Sequence, residues 1–226
     1  MRIKTSSFGE RAGHHNKLQV KPKYFLAFEG YKTEPIYFEA IQENRTLLNI
    51  NPLIELHQVD REQTGGNHPL DIIKNVDEYM QTINDTDNIT YDARIDKVCI
   101  IVDRDKKSFI IKQLRKAIKK CEEKSFRLFL SNPCFEFWLL LHYDEVHDIN
   151  NDELLENKKE DNQTFAEREL KKLCIGYQKG EFPIEWFIEN INKAIENEKS
   201  FAEDLEQLKE SVGSNIGKLI EELREN

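Results

Sequence analysis

The sequence lacks the cysteine spacing of a disulfide framework or of a structural zinc site. No CxxC pair exists, and the cysteines are widely scattered, at Cys99, Cys121, Cys134 and Cys174. Three of them stand inside apolar stretches, so we expect reduced cysteines that pack in the core. Histidine offers no zinc pair either, because His142 and His147 miss the i, i+4 spacing that aligns two ligands on one helix face.

Long apolar runs are also absent. No stretch approaches the roughly 20 residues that span a bilayer, and the N-terminal MRIKTSSFGERAGHH lacks the apolar region of a secretory signal. We therefore expect no membrane contact and a cytoplasmic location. With 226 residues, of which 38% are hydrophobic and 33% charged, the chain is long enough for one α/β domain with a sizeable appendage.

The chain as a whole has no excess of positive charge. The net charge of −9 argues against a grip on nucleic acid by the whole surface. The N-terminus differs, since Glu10 is the one acid among the basic residues Arg2, Lys4, Arg11, Lys17, Lys21 and Lys23. Residues 1–22 therefore form a basic arm that could contact phosphates, or else a solvated tail.

Apolar segments and amphipathic segments alternate through the first two thirds of the chain. The pattern predicts strands at Lys23–Phe28, Leu53–Val59, Val98–Val102 and Phe126–Leu130. Between them it predicts helices at Glu34–Leu48, Pro69–Ile83 and Lys106–Lys120, with a flexible loop at 61–68. This alternation predicts an α/β core over residues 23–147, with a mainly parallel sheet flanked by helices.

The composition becomes acidic and helical towards the C-terminus. Residues 148–226 carry few strand signals, so we expect an α-helical appendage packed on the core. Asp148–Gln163 reads as a polar loop or a loose helix. Helices are predicted at Thr164–Ile175, Ile184–Glu198, Phe201–Glu210 and Asn215–Leu223.

Acidic side chains follow two of the predicted strands directly. In FLAFEGYKTEPIYFEAI a strand ends at Glu29, and in VCIIVDRD a buried strand runs into Asp103 and Asp105. The carboxyl ends of parallel strands share one edge of a sheet, where ligands bind. If both segments are parallel strands of one sheet, these acids converge, and converging acids suggest a divalent metal.

The spacing of Asp103 and Asp105 suits a shared cation. In extended backbone, residues i and i+2 point the same way, while Arg104 points elsewhere. Mg²⁺ commonly uses one or two carboxylates, with waters and substrate phosphate oxygens around it, and Mn²⁺ is the alternative. Glu29 could bind the metal or serve as a general acid or base.

A second informative stretch is SNPCFEFWLLLH. Asn132 is a suitable N-cap and Pro133 a suitable first helical residue, so a helix that begins there would aim its N-terminal amides at the same edge and could seat an anion. Glu136 stands alone in this apolar helix. It is either a fourth acid near the metal or the partner of a cation, Lys32 or Arg104.

The turn after the first predicted strand adds two polar residues. Lys32 either neutralises a substrate phosphate or is a solvated turn lysine. For Thr33 we favour a structural role as the N-cap of the following helix.

Three motifs in order, EGYKTEPIYF, IVDRD and SNPCFEFWLLLH, closely resemble the RloB family. Its members are bacterial proteins often found beside restriction and other phage-defence genes. Weaker resemblance continues through YQKG and SNIGKLIEEL. The resemblance implies a variant of the Toprim fold, in which a glutamate and an Asp-x-Asp pair bind Mg²⁺ for phosphodiester cleavage or transfer. Here those residues are Glu29, Asp103 and Asp105.

The function expected from these observations is a Mg²⁺-dependent nuclease of an anti-phage defence system, acting on DNA or RNA. Glu29, Asp103 and Asp105 would be catalytic. The metal ligands would be Glu29, Asp103, Asp105 and Glu136, and the substrate contacts Lys32, Arg104 and Asn132. A topoisomerase would need a tyrosine from a further domain, and a primase a zinc module.

Two other functions stay open. One is a non-catalytic subunit that binds nucleic acid or a partner protein of the defence system, and the other is nucleotide binding or transfer. A homo-oligomer is compatible with each.

Overall fold

The computed structural model describes residues 22–64, 68–86, 89–107 and 109–225, so all but the last residue of the predicted basic arm lies outside the described ranges. Within these ranges the chain forms a five-stranded sheet in the order β2-β1-β3-β4-β5. The first four strands are parallel, and β5 is antiparallel to β4. The strands are β1 Lys23–Phe28, β2 Glu55–Gln58, β3 Lys97–Asp103, β4 Arg127–Asn132 and β5 Gly213–Ser214. The prediction of an α/β fold with a mainly parallel sheet is confirmed.

Helices cover both faces of this sheet. They are α1 Thr33–Glu43, α2 Arg61–Thr64, α3 Pro69–Thr86, α4 Ile111–Glu123, α5 Phe135–Leu140, α6 Asn151–Glu156, α7 Phe165–Leu173, α8 Ile184–Glu189, α9 Ile191–Glu198 and α10 Ile216–Glu225. Short 3₁₀ turns lie at Asp144–Asp148 and Gln207–Lys209. None of the helices in the described ranges combines the length and apolar character that a membrane span requires.

Alternation along β1 divides the interior into two cores. Tyr24, Leu26 and Phe28 face a core shared with α1, α5 and the C-terminal helices. Phe25 and Ala27 face the core made with α3 and α4. Successive side chains of a strand point to opposite faces, so a strand buried on both sides must be apolar throughout. The cysteines are free and buried, as predicted.

The strand order fixes where a ligand can bind. The chain leaves β1 for β2 on one side and then crosses over to β3 on the other side, so β1 and β3 are neighbours. Such a reversal opens a crevice outside the carboxyl ends of the two strands. Glu29 follows β1 and donates its backbone N–H to Ile101 O at 3.0 Å, while Asp103 ends β3. Both acids therefore lie at the crevice.

The C-terminal region adds a strand to the sheet. Ser214 pairs with Ser131 of β4, and the side chain of Asn215 accepts the Leu130 N–H at 2.6 Å. Apolar residues of this region, Phe187 and Leu219 among them, share the core that contains Tyr24 and Leu26. The last part of the chain thus both packs on the sheet and extends it.

Several predicted boundaries were wrong for identifiable reasons. Phe201–Glu210 is not a helix, because Ala202 forms backbone hydrogen bonds with Val212 and Ser214 and is held extended. The predicted helix Ile184–Glu198 is interrupted at Asn190. The segment 148–163, predicted as a polar loop or a loose helix, does contain a helix, α6. The predicted 61–68 loop contains α2. Helix α4 begins at Ile111, because a turn closed by Phe109 N–H to Asp105 O at 2.7 Å precedes it.

A buried acid in the C-terminal region makes folding stability pH-dependent. Glu198 of α9 accepts the Gly217 N–H at 3.1 Å, and burial raises the pKa of this carboxyl from 4.5 to about 8. Between these values the unfolded chain releases the proton while the folded protein keeps it, so the free energy of unfolding falls as pH rises, by up to about 1.4 kcal/mol per pH unit.

We expect Glu198→Gln to remove this contribution. In urea titrations the stability of the variant relative to wild type should increase from pH 5 to pH 8. A stability difference that stays constant across this interval would mean that Glu198 is already ionised in the folded protein.

Candidate functional site

A cleft of about 360 Å³ opens at the carboxyl ends of β1 and β3. Its chemistry-bearing side chains are Glu29, Lys32, Glu34, Asp103, Glu136 and Lys179. They come from the turn after β1, the first turn of α1, the end of β3, the start of α5 and the C-terminal region. Residues far apart in sequence therefore form one polar cleft, because parallel strands bring their carboxyl ends to one edge.

Glu29 and Asp103 lie side by side in this cleft. The backbone N–H of Asp103 donates to Glu29 Oε2 at 3.0 Å. The Asp103 carboxylate in turn accepts the backbone N–H of Phe135, at the start of α5, at 2.8 Å. Each carboxylate is thus oriented by a backbone donor. The predicted convergence of these two strand ends is present in the structure.

The N-terminus of α5 differs from the prediction. Asn132 is not the N-cap, because pairing with Gly213 keeps it extended as the last residue of β4, and the N-cap is Cys134. Pro133 lies outside the helix, after a cis Asn132–Pro133 peptide bond. The Asn132 side-chain amide donates to Leu208 O at 2.8 Å and to Ser211 O at 2.9 Å. A helix N–H that was predicted to seat an external anion binds the Asp103 carboxylate instead.

Asp105 and Arg104 are placed outside the cleft lining. The strand ends at Asp103, so the alternation expected to align Asp105 with Asp103 does not continue. The exposed Asp105 carboxylate accepts the Lys107 N–H at 2.9 Å. Arg104 is buried and donates from Nη1 to Phe109 O at 2.5 Å. The structure therefore brings Glu29 and Asp103 together but leaves Asp105 and Arg104 in the following loop.

Glu34 is a cleft residue that the sequence did not single out. It lies in the first turn of α1, and its buried carboxylate rests against the backbone of Gly30. Burial, with the negative charge of Glu136 as a further cause, raises the pKa of Glu34 from 4.5 to about 7. The sequence did contain a signal for Glu34, because an acid in the first turn of a helix that begins at the ligand-binding edge of the sheet is expected to face that edge. Thr33 follows the N-cap, which is Lys32 and makes no side-chain capping bond, so the predicted capping role of Thr33 was wrong.

Gly30 provides the space for the Glu34 carboxylate. A Cβ added at Gly30 would lie 2.1 Å from both Glu34 carboxylate oxygens. We expect Gly30→Ala to displace this carboxylate from its buried position. Because the obstructing atoms are the far end of a flexible side chain, the free energy of unfolding should fall by only about 1 kcal/mol.

A double-mutant cycle tests this steric explanation. In the Glu34→Ala background the obstruction is absent, so the same glycine substitution should cost much less in urea unfolding. Equal costs in the two backgrounds would contradict the proposed clash.

Glu136 is paired with a cation, although with neither of the two proposed from sequence. Lys179 Nζ lies 2.7 Å from Glu136 Oε1, and the Tyr177 hydroxyl lies 3.5 Å from the same oxygen. Burial alone would raise the pKa of Glu136, but Lys179 outweighs it and the pKa is lowered. Lys179 was missed because it lies 147 residues after Lys32 in sequence, and no local pattern links the two.

The electrostatics of the cleft favour a cation. Burial and the nearby charges of Glu34, Glu29 and Glu136 raise the pKa of Asp103 well above its usual value. Carboxylate oxygens are the ligands that Mg²⁺ prefers, and one or two suffice when water and substrate phosphate complete the shell. Glu29 and Asp103 are the carboxylates of the cleft that could hold a magnesium ion. Across the described residues, no group of three or more acidic, histidine or cysteine side chains is arranged to hold a metal by itself.

The fold and the cleft define a class of protein: a mainly parallel α/β protein with an acidic cleft at its topological switch point. The family of RloB-like proteins matches residues 24–223, nearly the whole chain. The chain belongs to this family. No curated protein and no solved structure matches it.

Proposed function

We propose that this protein is a Mg²⁺-dependent nuclease of a bacterial anti-phage defence system. The observation that carries the proposal is the meeting of Glu29 and Asp103 at the switch point of the sheet, in a cleft that also contains lysines. The Toprim-like character implied by the sequence motifs supports the same chemistry. The substrate class is DNA or RNA, and cleavage assays with both kinds of nucleic acid distinguish the two.

Glu29 and Asp103 would hold the metal. When bound, Mg²⁺ supplies charge stabilisation at a phosphodiester and lowers the pKa of a coordinated water. Both carboxylates are preorganised, because the Asp103 N–H donates to the Glu29 carboxylate and the Phe135 N–H donates to the Asp103 carboxylate. Preorganised groups of this kind need no rearrangement during the reaction.

Positive charge at the cleft would receive the substrate. Lys32 is exposed at the cleft and is suited to contact a phosphate group. Asp105, the third predicted acid, has the smaller role in this proposal because its carboxylate is hydrogen-bonded within its own loop. Arg104 and Asn132 would support the loop and the β4–β5 connection rather than touch the substrate.

Cleavage assays with the purified full-length protein test the proposal. Supercoiled plasmid, single-stranded DNA and tRNA would each be incubated with Mg²⁺, with Mn²⁺ and with EDTA. We expect cleavage of at least one substrate with either metal and none with EDTA. No cleavage of any substrate would overturn the proposal and favour the non-catalytic binding subunit. Mg²⁺-dependent thermal stabilisation by nucleoside triphosphates would instead favour the nucleotide function.

A further inference from the structure

We infer that Lys179 is a substrate-phosphate-binding residue of this cleft, presented by the C-terminal region of the chain. The inference rests on the proposed function and adds a residue to it. Lys179 lines the cleft that contains Glu29 and Asp103, although it lies more than 70 residues after Asp103 in sequence. The cleft is thus complete only when the C-terminal region has packed on the sheet.

A tight turn holds Lys179 in position. Gln178 and Glu181 exchange two backbone hydrogen bonds of 2.9 Å, which leaves Lys179 and Gly180 at the tip. Gly180 has a φ of +86°, a conformation that glycine adopts readily at the third position of a turn. A Cβ at this position would lie 3.1 Å from Lys32 Cβ, so the turn rests directly on Lys32. Lys32 and Lys179 are thereby neighbours at the cleft.

In the ion pair between Lys179 and Glu136, the carboxylate is buried and the lysine is half exposed. The Glu136 side chain is 5% exposed, whereas the Lys179 side chain is 51% exposed. The buried partner fixes the ammonium group, and the open side of the lysine remains accessible to a ligand. An ammonium has three donors, of which one is directed to Glu136 at 2.7 Å.

The negative charge of the cleft explains why a lysine is needed to bind a phosphate there. Four carboxyl groups line the cleft, those of Glu29, Glu34, Asp103 and Glu136, and the ionised ones repel a phosphodiester. Two neighbouring lysines reduce this electrostatic repulsion, as lysine and arginine side chains do where they bind phosphates in other sites. The alternative is that Lys179 merely neutralises the buried Glu136.

Variants at both positions separate these roles. Lys179→Met removes the cation, and the double variant Lys179→Met/Glu136→Gln also removes the buried charge. Binding of fluorescein-labelled single-stranded DNA and RNA oligonucleotides would be measured with Ca²⁺ in place of Mg²⁺ over a range of salt concentrations, together with the melting temperature. The matched control is the ion pair of Lys171 with Glu167, 3.0 Å apart and outside the cleft lining, changed in the same two ways.

We expect Lys179→Met to lower the melting temperature and to weaken binding about tenfold. It should also reduce the slope of log K against log salt by about 0.7, the effect of one lost phosphate contact on a single strand. The double variant should regain most of the melting temperature but neither the affinity nor the slope. The control variants should leave the slope unchanged.

The outcomes keep this inference separate from the proposed nuclease activity. Recovery of affinity and slope in the double variant would overturn the inference and make Lys179 a counter-ion of Glu136. A wild-type protein that binds with the Lys179-dependent slope but cleaves nothing would overturn the nuclease while supporting the phosphate contact. Wild-type protein that binds neither oligonucleotide would overturn the inference about Lys179, and cleavage of plasmid, single-stranded DNA or tRNA would decide the nuclease separately.

Discussion

Asp103→Asn is expected to reduce metal-dependent cleavage by at least about a hundredfold. The Asp103 carboxylate, at the end of β3, accepts the Phe135 N–H, and the backbone N–H of Asp103 donates to Glu29. Its neutral replacement keeps the shape but removes a charge that would hold the metal. A metal ion supplies several kcal/mol of charge stabilisation, and each 1.36 kcal/mol corresponds to about a factor of ten in rate. Initial rates of cleavage at saturating Mg²⁺ measure the loss.

The matched comparison is Asp105→Asn. Asp105 has the same chemistry two residues away, but its carboxylate accepts the Lys107 N–H and is exposed. We expect a loss of less than about tenfold, because the substitution changes the loop rather than the paired carboxylates. Equal losses in the two variants would show that the loop rearranges to bring Asp105 to the metal. Unchanged activity in both Asp103→Asn and Glu29→Gln would refute the assignment of the site.

Trp138→Ala is expected to cause the largest loss of stability, about 3–5 kcal/mol. Trp138 is fully buried on α5, with its ring centroid 6.2 Å from that of Tyr37 and 5.4 Å from that of His142. His142 in turn contacts Phe187 of α8 at 5.0 Å and accepts or donates a 3.0 Å hydrogen bond with the Tyr37 hydroxyl. The indole therefore joins the early and late parts of the chain, and its removal would leave a cavity where they meet.

Urea unfolding measures this loss, and Ile175→Ala is the control. Ile175 is 92% exposed, so the same kind of truncation should change the stability by less than about 0.5 kcal/mol. A small effect at Trp138 would mean that α5 and its neighbours close around the vacated volume. His142 stays neutral in this environment, because burial lowers its pKa to about 3.

Local sequence signals predicted the elements that build the site. The apolar run 98–102 matched β3, and the strand at 23–28 matched β1, because strands buried on both faces have a distinctive composition. Since both strands are parallel, their following acids, Glu29 and Asp103, were predicted to converge. The prediction for Asp105 assumed that β3 continues, and its end at Asp103 depends on the turn that precedes α4.

Other features of the cleft depend on contacts that no local pattern reveals. Asn132 has the composition of an N-cap, but pairing with Gly213, about 80 residues later, keeps it in a strand. Glu136 was correctly considered as the partner of a cation, yet Lys179 became that partner because the C-terminal region folds back over the sheet. In both cases a tertiary contact outweighed the local preference.

The sequence by itself determined the class of fold, the order of the first four strands and helices, and the two strand ends that carry Glu29 and Asp103. These follow from periodicity and from the rule that parallel strands end at one edge. Only the tertiary structure decided that Glu34 lies against Gly30, that Asp105 lies outside the cleft lining, and that Lys179 lies beside Lys32. Such placements depend on burial and on hydrogen-bond or ion pairing between residues that are distant in the chain, and no local sequence pattern records these contacts.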